Sequence, residues 1–109
     1  MATKNRTLGL LLPTSSTTIY TVPVRFSSEV TSIVLSNASA STVTVTLKWT
    51  DNITSTVYSI AEQVPMYGRS IVQLTNAFTL QAGDVISGYA SASAITISIK
   101  VEEEYSVTY

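Results

Sequence analysis

The chain contains no cysteine and no histidine. Those two absences remove every disulfide, the thiolate nucleophile, the commonest metal ligands and the one side chain that titrates near neutrality. Charge is scarce as well: charged residues make up 12% of the chain, and 6 basic against 7 acidic side chains leave a net charge of −1. A balance so close to zero provides no electrostatic footprint for nucleic acid or for an anionic membrane. Long apolar runs are missing too, and no stretch approaches the ~20 residues that span a bilayer. Leu8 to Leu12 gives five apolar positions before Pro13, short of the roughly 7 to 15 of a signal-peptide core, which argues against export by that route.

What remains is a chain of 109 residues, 45% hydrophobic, in which 16 Ser and 17 Thr supply most of the polar surface. Such a length buries roughly 65% of its unfolded surface, enough for one core. The strongest pattern has period two. Val43, Val45, Leu47 and Trp49 alternate with Thr42, Thr44, Thr46, Lys48 and Thr50, and Ile95, Ile97, Ile99 and Val101 alternate with Thr96, Ser98, Lys100 and Glu102. β-Branched residues dominate both runs, as a pleated surface favours. Further strands are expected at Thr18 to Val22, Val30 to Ser36, Thr56 to Val64, Ser70 to Thr75, Phe78 to Leu80 and Val85 to Ala90. They are separated by turn residues at Pro23, Asn37 to Ser41, Asp51-Asn52, Pro65 to Arg69 and Gly83-Asp84. Turns about every ten residues, with no sustained helical period, predict an all-β chain. The expected fold is a single antiparallel β-sandwich of jelly-roll or Greek-key type, with about 7 to 9 strands and extended terminal arms.

The ends divide the chain into an N-terminal arm (1–17), the sandwich (18–101) and a C-terminal tail or strand extension (102–109). The alternation that starts at Ile95 is interrupted at Glu103 and resumes at Tyr105, Val107 and Tyr109, a run of 15 residues. As one strand it would measure about 50 Å, against a diameter of roughly 34 Å for a compact domain of this size. Either the run bends at Glu102 to Glu104 or its last residues pair with something else. Leu10, Leu11 and Leu12 at one end, Tyr105, Val107 and Tyr109 at the other, and Tyr67 inside a turn are therefore the interface candidates.

Catalytic candidates do not assemble. The seven carboxylates, Glu29, Asp51, Glu62, Asp84, Glu102, Glu103 and Glu104, show no spacing that selects a glycosidase-type pair. Glu102 to Glu104 cannot converge on a cation along a strand, because successive side chains point to opposite faces; an edge-protecting role is expected for them. Without His, and with Lys4, Lys48 and Lys100 as the lysines, no Ser or Thr has an evident activating base. Gly83-Asp84 lacks the further glycines of a phosphate loop and reads as a turn in which Gly supplies positive φ and Asp bonds its own backbone. Trp49 belongs to the apolar face of its strand. Sequons begin at Asn5, Asn37 and Asn52 and are discounted, since they arise by chance in so hydroxyl-rich a chain. No catalytic, cofactor-binding or metal-ligating residue is expected.

Taken together, Thr18-Ile19-Tyr20-Thr21-Val22-Pro23, Val30-Thr31-Ser32-Ile33-Val34-Leu35-Ser36-Asn37, the Val43 to Trp49 strand and Leu80-Gln81-Ala82-Gly83-Asp84-Val85-Ile86 resemble small β-sandwich virion proteins of tailed bacteriophages. The chain departs from their usual look at Val24-Arg25-Phe26 and at Pro65-Met66-Tyr67-Gly68. The resemblance implies a non-enzymatic structural protein made in the host cytoplasm and present in many copies on the virion. A capsid decoration or cement protein is its first form, and a tail or fibre module its second. It further implies contacts with the major capsid protein or neighbouring virion subunits, a homo-oligomer with the trimer favoured, no cofactor, and neither nucleic acid nor membrane as partner.

Overall fold

The computed structural model describes residues 3–74 and 78–105. The described residues form nine strands: β1 (Thr3–Leu11), β2 (Thr17–Thr21), β3 (Phe26–Asn37), β4 (Val43–Asp51), β5 (Thr56–Met66), β6 (Ile71–Leu74), β7 (Phe78–Leu80), β8 (Val85–Ala90) and β9 (Ile95–Tyr105). They form two antiparallel sheets, and no helix occurs among the described residues. One sheet runs β1-β9-β3-β6, with β7 also paired to β3; the other runs β2-β8-β4-β5. The all-β sandwich expected from the alternation is the observed architecture.

Each long strand follows its residue pattern. In β9, Ile95, Ile97, Ile99 and Val101 are fully buried, as are Val43, Val45 and Leu47 of β4 in the other sheet. β3 begins on the even positions Ser28 and Val30 and continues on the odd positions Ile33, Leu35 and Asn37, all buried. The change of phase falls at a register shift between Val30 and Ser32. One extra residue there, a β-bulge, restores the apolar side chains to the inside. The same bulge explains why β3 shows a weaker period-two signal than β4 or β9.

The turns behave as their residues require. Gly83 has φ 85°, the left-handed region open to glycine. Asp84 is buried and accepts from its own turn, at Gln81 N (2.8 Å), and from Asn52 N of the β4–β5 turn (2.8 Å). The expected turn chemistry at Gly83-Asp84 therefore holds, and the carboxylate also joins two loops.

As far as Tyr105 the C-terminal run stays within the sheet, and the expectation that its last residues pair with something else falls on residues 106–109, outside those described. The body is elongated, with principal extents of 48 × 26 × 20 Å, so an 11-residue β9, about 36 Å long, fits within it. β9 neither bends at Glu102 to Glu104 nor leaves the sheet there: Glu104 pairs with Thr3 and Ser27, and Tyr105 with Phe26. Since β9 lies between β1 and β3, Glu102 to Glu104 do not protect an edge. Residues 1–2, 75–77 and 106–109, among them the interface candidates Val107 and Tyr109, lie outside the described residues.

Candidate interaction surface

At one end of the sandwich the apolar interior gives way to a polar cluster. Glu103 keeps the inward phase of Ile95 to Val101 and is fully buried. Strand pairing sets Lys4 of β1 and Ser28 of β3 beside it. From the opposite sheet Tyr20 donates its hydroxyl to Glu103 Oε2 (2.5 Å), and a second hydrogen bond joins the Tyr20 and Ser28 hydroxyls (2.9 Å). Arg6 Nη1 lies 3.2 Å from the same Oε2. Glu103 Oε1 is buried without a hydrogen-bond partner among the described residues. One carboxylate thus links β1, β9, β3 and, across the core, β2. The sequence signal was the acid in an apolar phase, which reads first as a break in the strand.

Burial and the hydrogen bond to Glu103 push the Tyr20 hydroxyl up from 10.0 to about 12. A hydroxyl whose folded pKa is raised contributes stability that is complete below its unfolded pKa and is lost as pH rises through the folded one. The difference in unfolding free energy between the parent protein and Tyr20→Phe is therefore expected to stay constant up to about pH 10 and to shrink between about pH 10 and 12. Urea titrations at stepped pH measure it, and a difference that stays constant to pH 12 contradicts this role for the hydroxyl.

The remaining acids on this end lie outside. Glu29 pairs directly with Glu102 on the outer face of the five-stranded sheet, with Glu104 next along the strand and Ser27 and Thr79 alongside. Among the described residues no group of three acidic side chains is placed to hold a metal ion.

The interface candidates fall into different environments. Leu10 and Leu11 are exposed on β1, at 38% and 55%, and Tyr67 is exposed at 71% in the β5–β6 turn. Leu12, expected to contact a partner, is instead fully buried in its own core. Its amide bonds Ile95 O (2.8 Å), so the chain turns inward there and leaves no surface to offer. Tyr105 is half-buried and packs edge-on against Phe26, with ring centroids 5.4 Å apart. Sequence reasoning passed over Val24, Ile53 and Ile71, exposed at 80%, 83% and 72%; each sits in or beside a turn. Trp49 is only half-buried, packed on the core and stacked on Tyr58 at 4.9 Å. An apolar groove of about 190 Å³ opens between the sheets, lined by Val30, Ile33, Ile60, Leu74 and Phe78.

The sequon at Asn37 is closed to modification, because the residue is buried and its side chain is consumed by the turns around it. Its Nδ2 donates to Ser41 O (2.9 Å), Met66 O (3.1 Å) and Tyr67 O (3.1 Å), while its Oδ1 accepts from Ser39 N and Oγ (3.0 Å each).

Comparison with protein families gave no match, and no curated protein matches the sequence. Solved structures do share the fold. A Bacillus endospore appendage protein, described as belonging to a family of disulfide-linked pili, superposes with a TM-score of 0.56 at 14% identity, covering 98% of this chain and 88% of its own. The capsid of Helicobacter pylori bacteriophage KHP30 gives 0.55 at 10% identity, over 94% of this chain and 87% of the other. A pentameric capsid protein isolated from metagenomic phage sequences gives 0.50 at 18% identity, over 93% of this chain and 62% of that longer one. At these identities the likeness shows a common sandwich.

Proposed function

We infer that this protein is a non-enzymatic structural subunit of a bacteriophage virion, folded along a jelly-roll path. The jelly-roll reading is supported by the strand orders β1-β9-β3-β6 and β2-β8-β4-β5, in which the chain passes repeatedly between the sheets as two interleaved Greek keys do. The observation that carries the virion reading is the coincidence of this fold with phage capsid proteins. The endospore pilus neighbour favours assembly in general, but a chain without cysteine has no means of forming disulfide-linked fibres.

Within the virion the first role is capsid decoration or cement, with a tail or fibre module as the alternative. A subunit that binds the assembled shell and not its separated parts stabilises the shell by linkage, and symmetric repetition multiplies modest contacts into avidity. The exposed apolar side chains Leu10, Leu11 and Tyr67 are the contact points. A receptor-binding tail module is less favoured, since the ring pairs among the described residues, Phe26 with Tyr105 and Trp49 with Tyr58, include neither Tyr67 nor Tyr89. The expected partners are the major capsid protein or neighbouring copies. Light scattering of the purified protein separates the trimer that the resemblance implies from the pentamer of the metagenomic neighbour and from a two-fold pair. Mass spectrometry of purified particles is expected to find the protein in them; its absence from particles overturns the reading.

A further inference from the structure

Sheet edges differ in how well they are protected from further pairing. β2 has five residues and a register shift between Thr18 and Tyr20. β5 is long, but two register shifts interrupt its pairing with β4, and Gln63, inside the shift between Val64 and Ala61, has φ 49°. β6 and β7 are four and three residues long. Short strands and bulges of this kind blunt an edge. β1 has neither device: nine consecutive residues pair with β9 without a shift, so its other side presents a straight row of amides and carbonyls. Inward-pointing charge is a further means of protection, and Lys4 and Arg6 are on the inward phase. Both are occupied within the chain, Arg6 with Glu103 and Lys4 over the Phe26 ring at 5.7 Å.

We propose that a second copy of this chain adds to this edge, β1 against β1 in antiparallel fashion, about a two-fold axis at Thr7, so that two five-stranded sheets become one. Side-chain chemistry selects both the occupant and the register. Pairing about Thr7 uses all nine residues and sets Thr3 opposite Leu11, Lys4 opposite Leu10, Asn5 opposite Gly9 and Arg6 opposite Leu8 of the second copy. No cation faces a cation, and the exposed Leu10 is covered by the Lys4 stem of the second copy. Pairing about Arg6 would oppose that residue to itself, and pairing about Asn5 would oppose Lys4 to Arg6; like charges so placed destabilise a sheet. Pairing about Leu8 would leave Thr3 and Lys4 without partners. The Thr7 register is self-complementary, as a closed two-fold contact requires.

The inference rests on the reading of the chain as an assembling subunit and names its partner, but its test uses the isolated protein and is independent of any particle. Because the chain has no cysteine, Thr7→Cys places a single thiol at the axis, within disulfide reach of its own copy. Mild oxidation is expected to convert most of this variant to a covalent dimer. Asn5→Cys and Gly9→Cys, whose positions are four residues apart across the axis, are each expected to remain uncrosslinked alone and to cross-link when mixed; at Gly9 an added Cβ meets no atom within 4 Å. Leu10→Glu and Leu10→Lys remove the same apolar surface but set opposite charges against Lys4, so their dimer dissociation constants, measured by sedimentation at low salt, are expected to differ by about tenfold in favour of Glu. Thr7→Cys cross-linking no faster than Asn5→Cys alone, or equal dissociation constants for the two Leu10 variants, overturns the proposal. Failure of the cross-link in a protein still found in particles removes the β1 contact and leaves the virion reading in place; cross-linking by a protein absent from particles does the reverse.

Discussion

Glu103→Ala is expected to lower the unfolding free energy by about 3 kcal/mol, one of the two largest single-residue effects the fold predicts. The change takes the acceptor from Tyr20, leaves Arg6 without its partner and opens a void in a fully buried site. Glu103→Leu refills the space and continues the apolar stripe of Ile95 to Val101, but it still strands the Tyr20 hydroxyl against Ser28 alone. Combining it with Tyr20→Phe removes both ends of the interaction. Because a buried charge carries a desolvation cost that its pairing only partly offsets, the double variant is expected to be within about 1 kcal/mol of the parent. Arg6→Ala is expected to cost about 1 kcal/mol or less, since that side chain is 41% exposed and its attraction is screened. Urea unfolding of the four variants measures all of this. A double variant as unstable as Glu103→Ala would mean that the ionic cluster itself, not the filled volume, holds this end of the sandwich together.

At the other end, Asn37→Ala is expected to cost about 3 kcal/mol, and Asn37→Asp more. The amide nitrogen faces three carbonyls, those of Ser41, Met66 and Tyr67, within 3.1 Å. Alanine leaves these acceptors buried and unpaired; aspartate also places a negative oxygen against them. The two loops that Asn37 joins press together closely enough that a Cβ on Gly68 would lie 2.2 Å from Ala40 O. Gly68→Ala must therefore push backbone apart and is expected to be comparably damaging. Thermal unfolding of the three variants provides the ranking. An Asp variant as stable as the parent would show that Asn37 does not donate to these carbonyls.

How much of this was legible in the chain depends on where each residue's partners lie. β4 and β9 are written locally, in alternation of β-branched and hydroxyl side chains, and their placement comes directly from period two. The outer half of β3 is less clear because the bulge at Thr31 reverses the phase of Ile33, Leu35 and Asn37 relative to Ser28 and Val30. β1 is the strand that period two does not reveal. Its inward positions read Lys4, Arg6, Leu8 and Leu10, because the opposing sheet only half covers them and charged heads can reach solvent or Glu103. Leu12 carried the same apolar signal as Leu10 and Leu11, and only the turn of the chain toward Ile95 separates buried from exposed. Glu103 is beyond local reading, its partners lying 83 and 97 residues away, and Asn37 is only partly local, since besides Ser39 and Ser41 it bonds residues 29 and 30 away. Their full meaning comes from the closed sandwich, not from neighbouring residues alone.

The proposal of a molecule that works through contact, in repetition, rests on the fold shared with phage capsid proteins and on the exposed Leu10 and Leu11. The most direct test is to count this protein against the major shell protein in purified virions by quantitative mass spectrometry with labelled peptide standards. A shell subunit repeated by symmetry predicts on the order of a hundred copies or more per particle; about a dozen or fewer would contradict the capsid role and move the protein to the tail.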